Sequence, residues 1–134
     1  DMGLEPFLLA SALKGIISQR LIRRICPDCK EEIPVPEGLV NMLKEENLYR
    51  DNMVLYKGKG CENCRNTGYK KRTALHEVIV MDDELKNEIS LKPSCADLVK
   101  FFRNRGEASM KHDGLKKAIE GITTIDEVLR ICVV

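Results

Sequence analysis

The sequence predicts a mixed α/β fold: a helix and strand at the start, an inserted four-cysteine module, then a returning strand and a bundle of short helices. Three observations carry this. Two Cys-x-x-Cys pairs, Cys26 with Cys29 and Cys61 with Cys64, bracket a segment rich in proline and glycine. A β-rich stretch from Thr73 to Met81 follows the second pair. The rest breaks into short helix-forming stretches, each preceded by Asp, Ser or Thr at a capping position. With 134 residues and 43% hydrophobic content, the chain has the size and apolar stock of one globular domain.

From Glu5 to Arg24, apolar residues recur at Phe7, Leu8, Ala12, Leu13, Ile16, Ile17 and Leu21. This three-four spacing predicts a helix with one buried face, and Pro6 suits its first turn. Gly15 weakens such a helix. The run Ile16-Ile17, Leu21-Ile22 and Ile25 predicts a switch to a short strand over 19–25. Residues 26–72 have another texture, with Pro27, Pro34, Pro36 and glycines at 38, 58, 60 and 68. Within them, Leu39, Val40, Leu43 and Leu48 predict a helix over 37–48, and Met53 to Tyr56 a strand. Thr73 to Met81 reads as a mostly buried strand. Four short helices follow. Asp82 or Asp83 caps one through Ile89, Ser94-x-x-Asp97 opens another through Arg103, and Ser109 caps a third through Ile119. Thr124-x-x-Glu127 has capping-box form ahead of Val128, Leu129 and Ile131. Pro93, Gly106 and Gly121 stand where these helices end.

Composition narrows the function. Aromatic residues are 4% with no Trp, leaving little ring surface for stacking bases. Twenty-two basic and twenty-one acidic residues give a formal charge of +1, far from the basic balance of a phosphate-binding domain. Nucleic acid is not the expected partner. The longest apolar runs, Phe7 to Ala10 and Val78 to Met81, fall far short of the ~20 residues needed to cross a bilayer, and no signal peptide precedes them. The sequence therefore predicts a cytoplasmic protein. It also opens on Asp1-Met2-Gly3 directly into a helix-forming segment, which reads as the interior of a longer protein.

In a reducing compartment, paired Cys-x-x-Cys motifs are better metal ligands than disulfides. Each turn delivers two thiolates from one bend, and two turns complete a tetrahedral zinc shell. Cys26, Cys29, Cys61 and Cys64 are the expected ligands. The 31-residue gap between the pairs is longer than the usual 15 to 20 or so, and a small helix and strand can fill it. Four cysteines close the coordination sphere, so the zinc is structural and not catalytic. Four thiolates on one zinc ion carry about −2, which places the loaded chain near −1. A dithiol redox protein is the competing reading of the same pairs. The insertion shows few large apolar residues and is expected to be loose or unfolded without metal. Arg23, Arg24, Lys30, Lys59, Arg65, Lys70, Lys71 and Arg72 surround the pairs in sequence and read as a solvated face that offsets the thiolates. Cys95 and Cys132 lack partners at ligand spacing and read as buried small hydrophobes.

No catalytic or nucleotide-binding residue is assigned. His76 and His112 each stand alone, with no third group to complete a triad. Gly58-Lys59-Gly60-Cys61 lacks the spacing of a phosphate loop.

Longer strings then become recognisable. Glu5-Pro6-Phe7-Leu8 and Gln19-Arg20-Leu21-Ile22-Arg23 lead into the first cysteine pair. Asn66-Thr67-Gly68-Tyr69 and Arg72-Thr73-Ala74-Leu75-His76-Glu77 follow the second, and Asp113-Gly114, Gly121-Ile122-Thr123-Thr124 and Glu127-Val128-Leu129-Arg130 close the chain. Together they resemble the traffic ATPases of type II secretion and type IV pilus assembly, in the secretion NTPase superfamily. The resemblance implies that residues 1–25 end a RecA-like ATPase core, 26–72 form the zinc module, and 73–134 hold the returning core strand and a helical C-terminal region. It implies a parent that is a hexameric motor using ATP and Mg, peripheral at the cytoplasmic face of the inner membrane. The implied partners are an inner-membrane platform protein and other machinery components. The fragment itself is then a structural and interaction element, not an enzyme. Lys71 and Ala74 stand where this family usually has glycine, implying altered turn geometry around Arg72; Ala108-Ser109-Met110 also departs from its pattern. The alternative is an independent zinc ribbon that binds nucleic acid.

Overall fold

Pro6 opens a seven-residue helix, α1 (Pro6–Ala12), and Leu13 at its C-cap is already extended. The backbone then runs as β1 (Gly15–Ile25). This description comes from a computed structural model and covers residues 3–132; the Asp1-Met2 dipeptide lies outside the described residues. The early switch to strand corrects two expectations. The strand starts at Gly15 rather than near residue 19, because glycine and two consecutive β-branched residues each disfavour helix and tolerate extension. The expected single buried helical face does not form. Ala10 is buried, whereas Phe7, Leu8, Ile17 and Leu21 are exposed.

β1 pairs with a long strand, β4 (Tyr69–Val80), in a two-stranded sheet. β4 begins four residues before the expected Thr73 and runs straight through Arg72, so no turn stands there. Lys71 instead takes a left-handed φ of 65° inside the strand, and Ala74 does not.

A second two-stranded sheet pairs β2 (Lys30–Pro34) antiparallel with β3 (Val54–Gly58), with Glu31 opposite Lys57 and Ile33 opposite Leu55. β2 has no clear signal in Lys-Glu-Glu-Ile-Pro. Its register explains it: the Glu31–Lys57 ion pair spans 3.2 Å, while Ile33 and Leu55 both join the core. Between the strands lies α2 (Glu37–Glu45). It stops short of Leu48 because Asn47 adopts φ 56° and closes the helix, with Asn47 N–H donating to Lys44 O and Leu48 N–H to Leu43 O.

The last four helices are α3 (Asp83–Ser90), α4 (Cys95–Asn104), α5 (Met110–Ile119) and α6 (Ile125–Cys132). Each has the cap the sequence places before it. Asp82, Ser94, Ser109 and Thr124 accept from the amides of Leu85, Asp97, His112 and Glu127 at 2.8, 3.2, 3.1 and 3.2 Å. α5 ends on Gly121 at φ 77°, where Gly121 N–H donates to Ala118 O and Ile122 N–H to Lys117 O. This left-handed turn starts the corner into α6. The fold is thus mixed α/β, with six α-helices and two small sheets among the described residues, and no described helix is long and apolar enough to cross a membrane.

The chain divides into two compact units, one of residues 3–18 and 77–108, the other of 19–76 and 109–132. In the first, α1 packs on α3, and Arg105 joins both ends of the α3–α4 pair. It bonds to Asp82, reaches Glu107 at 3.3 Å, and stacks its guanidinium over the Phe101 ring. The second unit holds a core of Leu43, Leu55, Leu115, Ala118, Ile125 and Val128, extended by Ile33, Val35, Leu39, Met42, Leu48, Tyr49 and Met53. The insertion therefore has an apolar anchor. Contrary to the expectation of few large apolar residues, it contributes nine to this core, and α5 and α6 supply the other side, which a reading of residues 26–72 alone does not reveal. α5 and α6 meet closely at Gly114, where an added Cβ would lie 2.6 Å from Val128 Cγ1.

Candidate metal centre

β1 delivers Cys26 at its end, directly after the buried Ile25. The Cys26 amide donates to Gly68 O at 2.9 Å, which ties the first pair to the segment following the second. Pro27 and Asp28 turn the chain, and Cys29 N–H reaches back to Cys26 O at 3.4 Å. The second pair lies on a single 3-10 turn, Glu62–Cys64, opened by Cys61. Arg65 and Asn66 leave it with φ 53° and 60°, and Gly68 follows at 77°. The backbones cross so closely at Gly58 and Gly68 that a Cβ on Gly58 would fall 2.0 Å from Gly68 O. Neither position tolerates a side chain.

These turns bring the four expected cysteines together, with all four Sγ atoms within 4.8 Å of one another. Cys26–Cys61 and Cys29–Cys64 are each 3.8 Å apart, and Cys61–Cys64 is 3.7 Å. A tetrahedral zinc ion with bonds of about 2.3 Å requires sulfur–sulfur edges of about 3.8 Å. The spacing is far beyond a disulfide bond of about 2.05 Å, and all four cysteines are free. The donor set and its three shortest edges fit one tetrahedral ion.

Backbone amides aim at the sulfurs. Gly60 N–H donates to Cys29 Sγ at 3.3 Å, and Cys61 and Gly68 N–H both donate to Cys64 Sγ at 3.2 Å. Burial pushes the Cys64 thiol up, but the two amides together with hydrogen bonds from the Cys61 and Cys29 thiols outweigh it and bring it down to about 6. Burial and the neighbouring thiols push Cys29 up to about 12 against its single amide donor, and burial also raises Cys26. Four thiolates at these distances need a cation to ionise together.

The remaining candidates are dispersed. His76 is exposed and bonds Gln19 Oε1 at 3.2 Å, while His112 is half-buried against Glu46 at 3.1 Å. Cys132 packs half-buried on the core. Cys95 is exposed, not buried: it opens α4 directly after the Ser94 cap, a position that faces solvent. Of the basic residues, Lys70 approaches Asp28 at 3.8 Å and Lys30 donates to Gly121 O at 3.1 Å. Arg24, Lys59, Arg65, Lys71 and Arg72 are exposed. Arg23 is different. Its guanidinium lies 4.1 Å from the Tyr69 ring centroid and 2.5 Å from Glu127 Oε1. Sequence reading missed Glu127 as a buried partner, because its place in Thr124-x-x-Glu127 already explained it as a cap.

Comparison with known proteins gives a consistent set. A family model described as Type II/IV secretion system protein matches residues 1–130. The chain is 46% identical over 131 residues to a type IV pilus assembly ATPase PilB of Thermus thermophilus, covering 96% of this chain and 14% of that protein. It is 37% identical over 131 residues to a type II secretion system ATPase E of Vibrio cholerae, covering 98% and 25%. To a putative type II secretion system protein E of Escherichia coli it is 41% identical over 133 residues, covering 98% and 26%. The chain thus spans about a quarter or less of the length of these curated relatives.

Proposed function

We propose a function from one premise: this chain belongs to the type II/IV secretion system protein family. It is the zinc-bearing C-terminal region of a hexameric cytoplasmic motor ATPase that powers type II protein secretion or type IV pilus assembly. Residues 1–25 close the RecA-like core, 26–72 form the zinc module, and 73–134 supply the returning strand and the helical C-terminal region. The region itself carries no phosphate loop, so its task is folding, subunit packing and contact with the membrane platform protein and neighbouring machinery. ATP and Mg belong to the parent.

The observation that carries this reading is the four-sulfur cluster, with three edges of 3.7 to 3.8 Å and all four sulfurs within 4.8 Å of one another, inside a chain that the family model matches over residues 1–130. Cys26, Cys29, Cys61 and Cys64 would hold the ion, which supplies charge compensation and a rigid cross-link rather than chemistry. Native mass spectrometry of the chain is expected to find one zinc, released by a strong chelator. A metal-free chain whose cysteines titrate freely while the fold is unchanged would overturn the zinc assignment. In the full-length parent, replacing the cysteine pairs with serine is expected to abolish secretion or piliation; unimpaired transport by such a variant would overturn the proposed role.

A further inference from the structure

The corner between α5 and α6 contacts both flanks of the cysteine centre. Before Cys26, the Ile25 amide donates to Ile122 O at 2.9 Å, and Thr123 Oγ1 donates to Arg23 O at 2.8 Å. After Cys29, the Lys30 ammonium donates to Gly121 O at 3.1 Å. On the side of the second pair, Tyr69 and Thr124 join hydroxyls at 2.8 Å, next to the Gly68 carbonyl that accepts from Cys26. Glu127 completes the set. Only 1% exposed, its carboxylate accepts from the Arg23 amide at 3.1 Å and guanidinium at 2.5 Å, and from Arg130 at 3.0 and 3.1 Å. Thr123 is 0% exposed. The first α6 turn and the residues before it are therefore bonded to the strand that delivers Cys26 through Thr123 and Glu127, both shielded from water.

From this we infer that residues 121–127 are the positioning element of the cysteine centre, so that metal binding and the seating of α6 form one linked equilibrium. The inference rests on the zinc reading above. The physical reason is preorganisation. Four soft donors bind one ion tightly only if their turns are already held, and groups outside the ligand shell typically alter metal affinity 10- to 100-fold. Here the second pair organises itself, with Cys61 and Cys64 on one 3-10 turn and amides aimed at the sulfurs. The first pair closes its own turn and is tied to Gly68 and Lys59, but the chain entering and leaving it, at Arg23, Ile25 and Lys30, is fixed by bonds to the corner. Linkage is reciprocal, so a bound ion must in turn hold the corner against β1.

The test uses the 134-residue chain, zinc alone as probe, and competition with a chromophoric chelator. Glu127→Ala is expected to weaken zinc binding by about 10-fold, and Thr123→Val by roughly threefold. Lys116→Gln, an exposed position on α5 outside the corner, is expected to leave it unchanged. In the wild type, zinc removal is expected to speed hydrogen exchange at the Ile25 and Glu127 amides. A purely structural role for the corner would lower stability without moving zinc affinity. The inference is therefore overturned if the variants fold, bind zinc like the wild type, and show no metal-linked exchange at those amides. If Glu127→Ala does not fold, Thr123→Val decides. A wild type that binds no zinc would instead sink the zinc reading, and this inference with it.

Discussion

Lys71 shows how one residue can carry strain within a strand. It holds φ 65° at the third residue of β4, where an ordinary side chain costs about 1–2 kcal/mol relative to glycine. Lys71→Gly is expected to raise stability by roughly 1 kcal/mol, read as a higher urea midpoint at unchanged slope; a lower midpoint would mean the lysine makes an offsetting contact. Glu127 supplies a pH signature. Burial pushes its carboxyl up, but the bonds from Arg23 and Arg130 outweigh burial and hold it at about 2, against an ordinary value of 4.5. A depressed carboxylate stabilises fully above its unfolded value and loses that contribution as pH falls through the folded one. The stability advantage of the wild type over Glu127→Gln is therefore expected to be constant above about pH 5 and to shrink between about 4.5 and 2. An advantage that grows with acidification would refute the ion-pair account.

Among the elements, the helices were the most legible. Asp82, Ser94, Ser109 and Thr124 cap four of them at the positions their sequence spacing indicates, because capping is local chemistry between residues three apart. The strands were less so. β2 is charged along most of its length and acquires its role only by pairing with β3. Helix α1 stops at Ala12 because a three-four apolar pattern and a β-branched run overlap in one segment. The contact between α5 and α6 depends on Gly114, which the family strings include but whose packing role no periodicity marked. A methyl group at Gly114 would press on Val128, a stiff branched side chain, at a cost of about 1–3 kcal/mol. The gain in helix propensity offsets about 1 kcal/mol of that. Gly114→Ala is expected to lower the melting temperature by several degrees, whereas an unchanged or higher value would show that the helices can separate without loss.

For the whole molecule, the question is what the metal holds. The insertion shares its core with α5 and α6 through Leu43, Leu55, Leu115 and Val128, so loss of zinc need not unfold all of residues 26–72. Chelation is expected to expose the amides around the two turns, near residues 26–29 and 59–68, while the amides of α2 and α5 stay protected. Hydrogen exchange with mass spectrometry distinguishes this from global loss. Uniform deprotection would mean the apolar core depends on the ion after all.

Four ligands of one proposed ion could be named from the sequence because Cys-x-x-Cys is short, and the chemistry of two such turns admits few outcomes. Family membership was likewise carried by strings of neighbouring residues, from Glu5-Pro6-Phe7-Leu8 through Glu127-Val128-Leu129-Arg130. Tertiary structure alone decided what holds those ligands in place. Arg23 and Glu127 are 104 residues apart in the chain, and no periodicity links them. Their bond exists because β1 and α6 fold into one unit in which a carboxylate shielded from water requires a cationic partner.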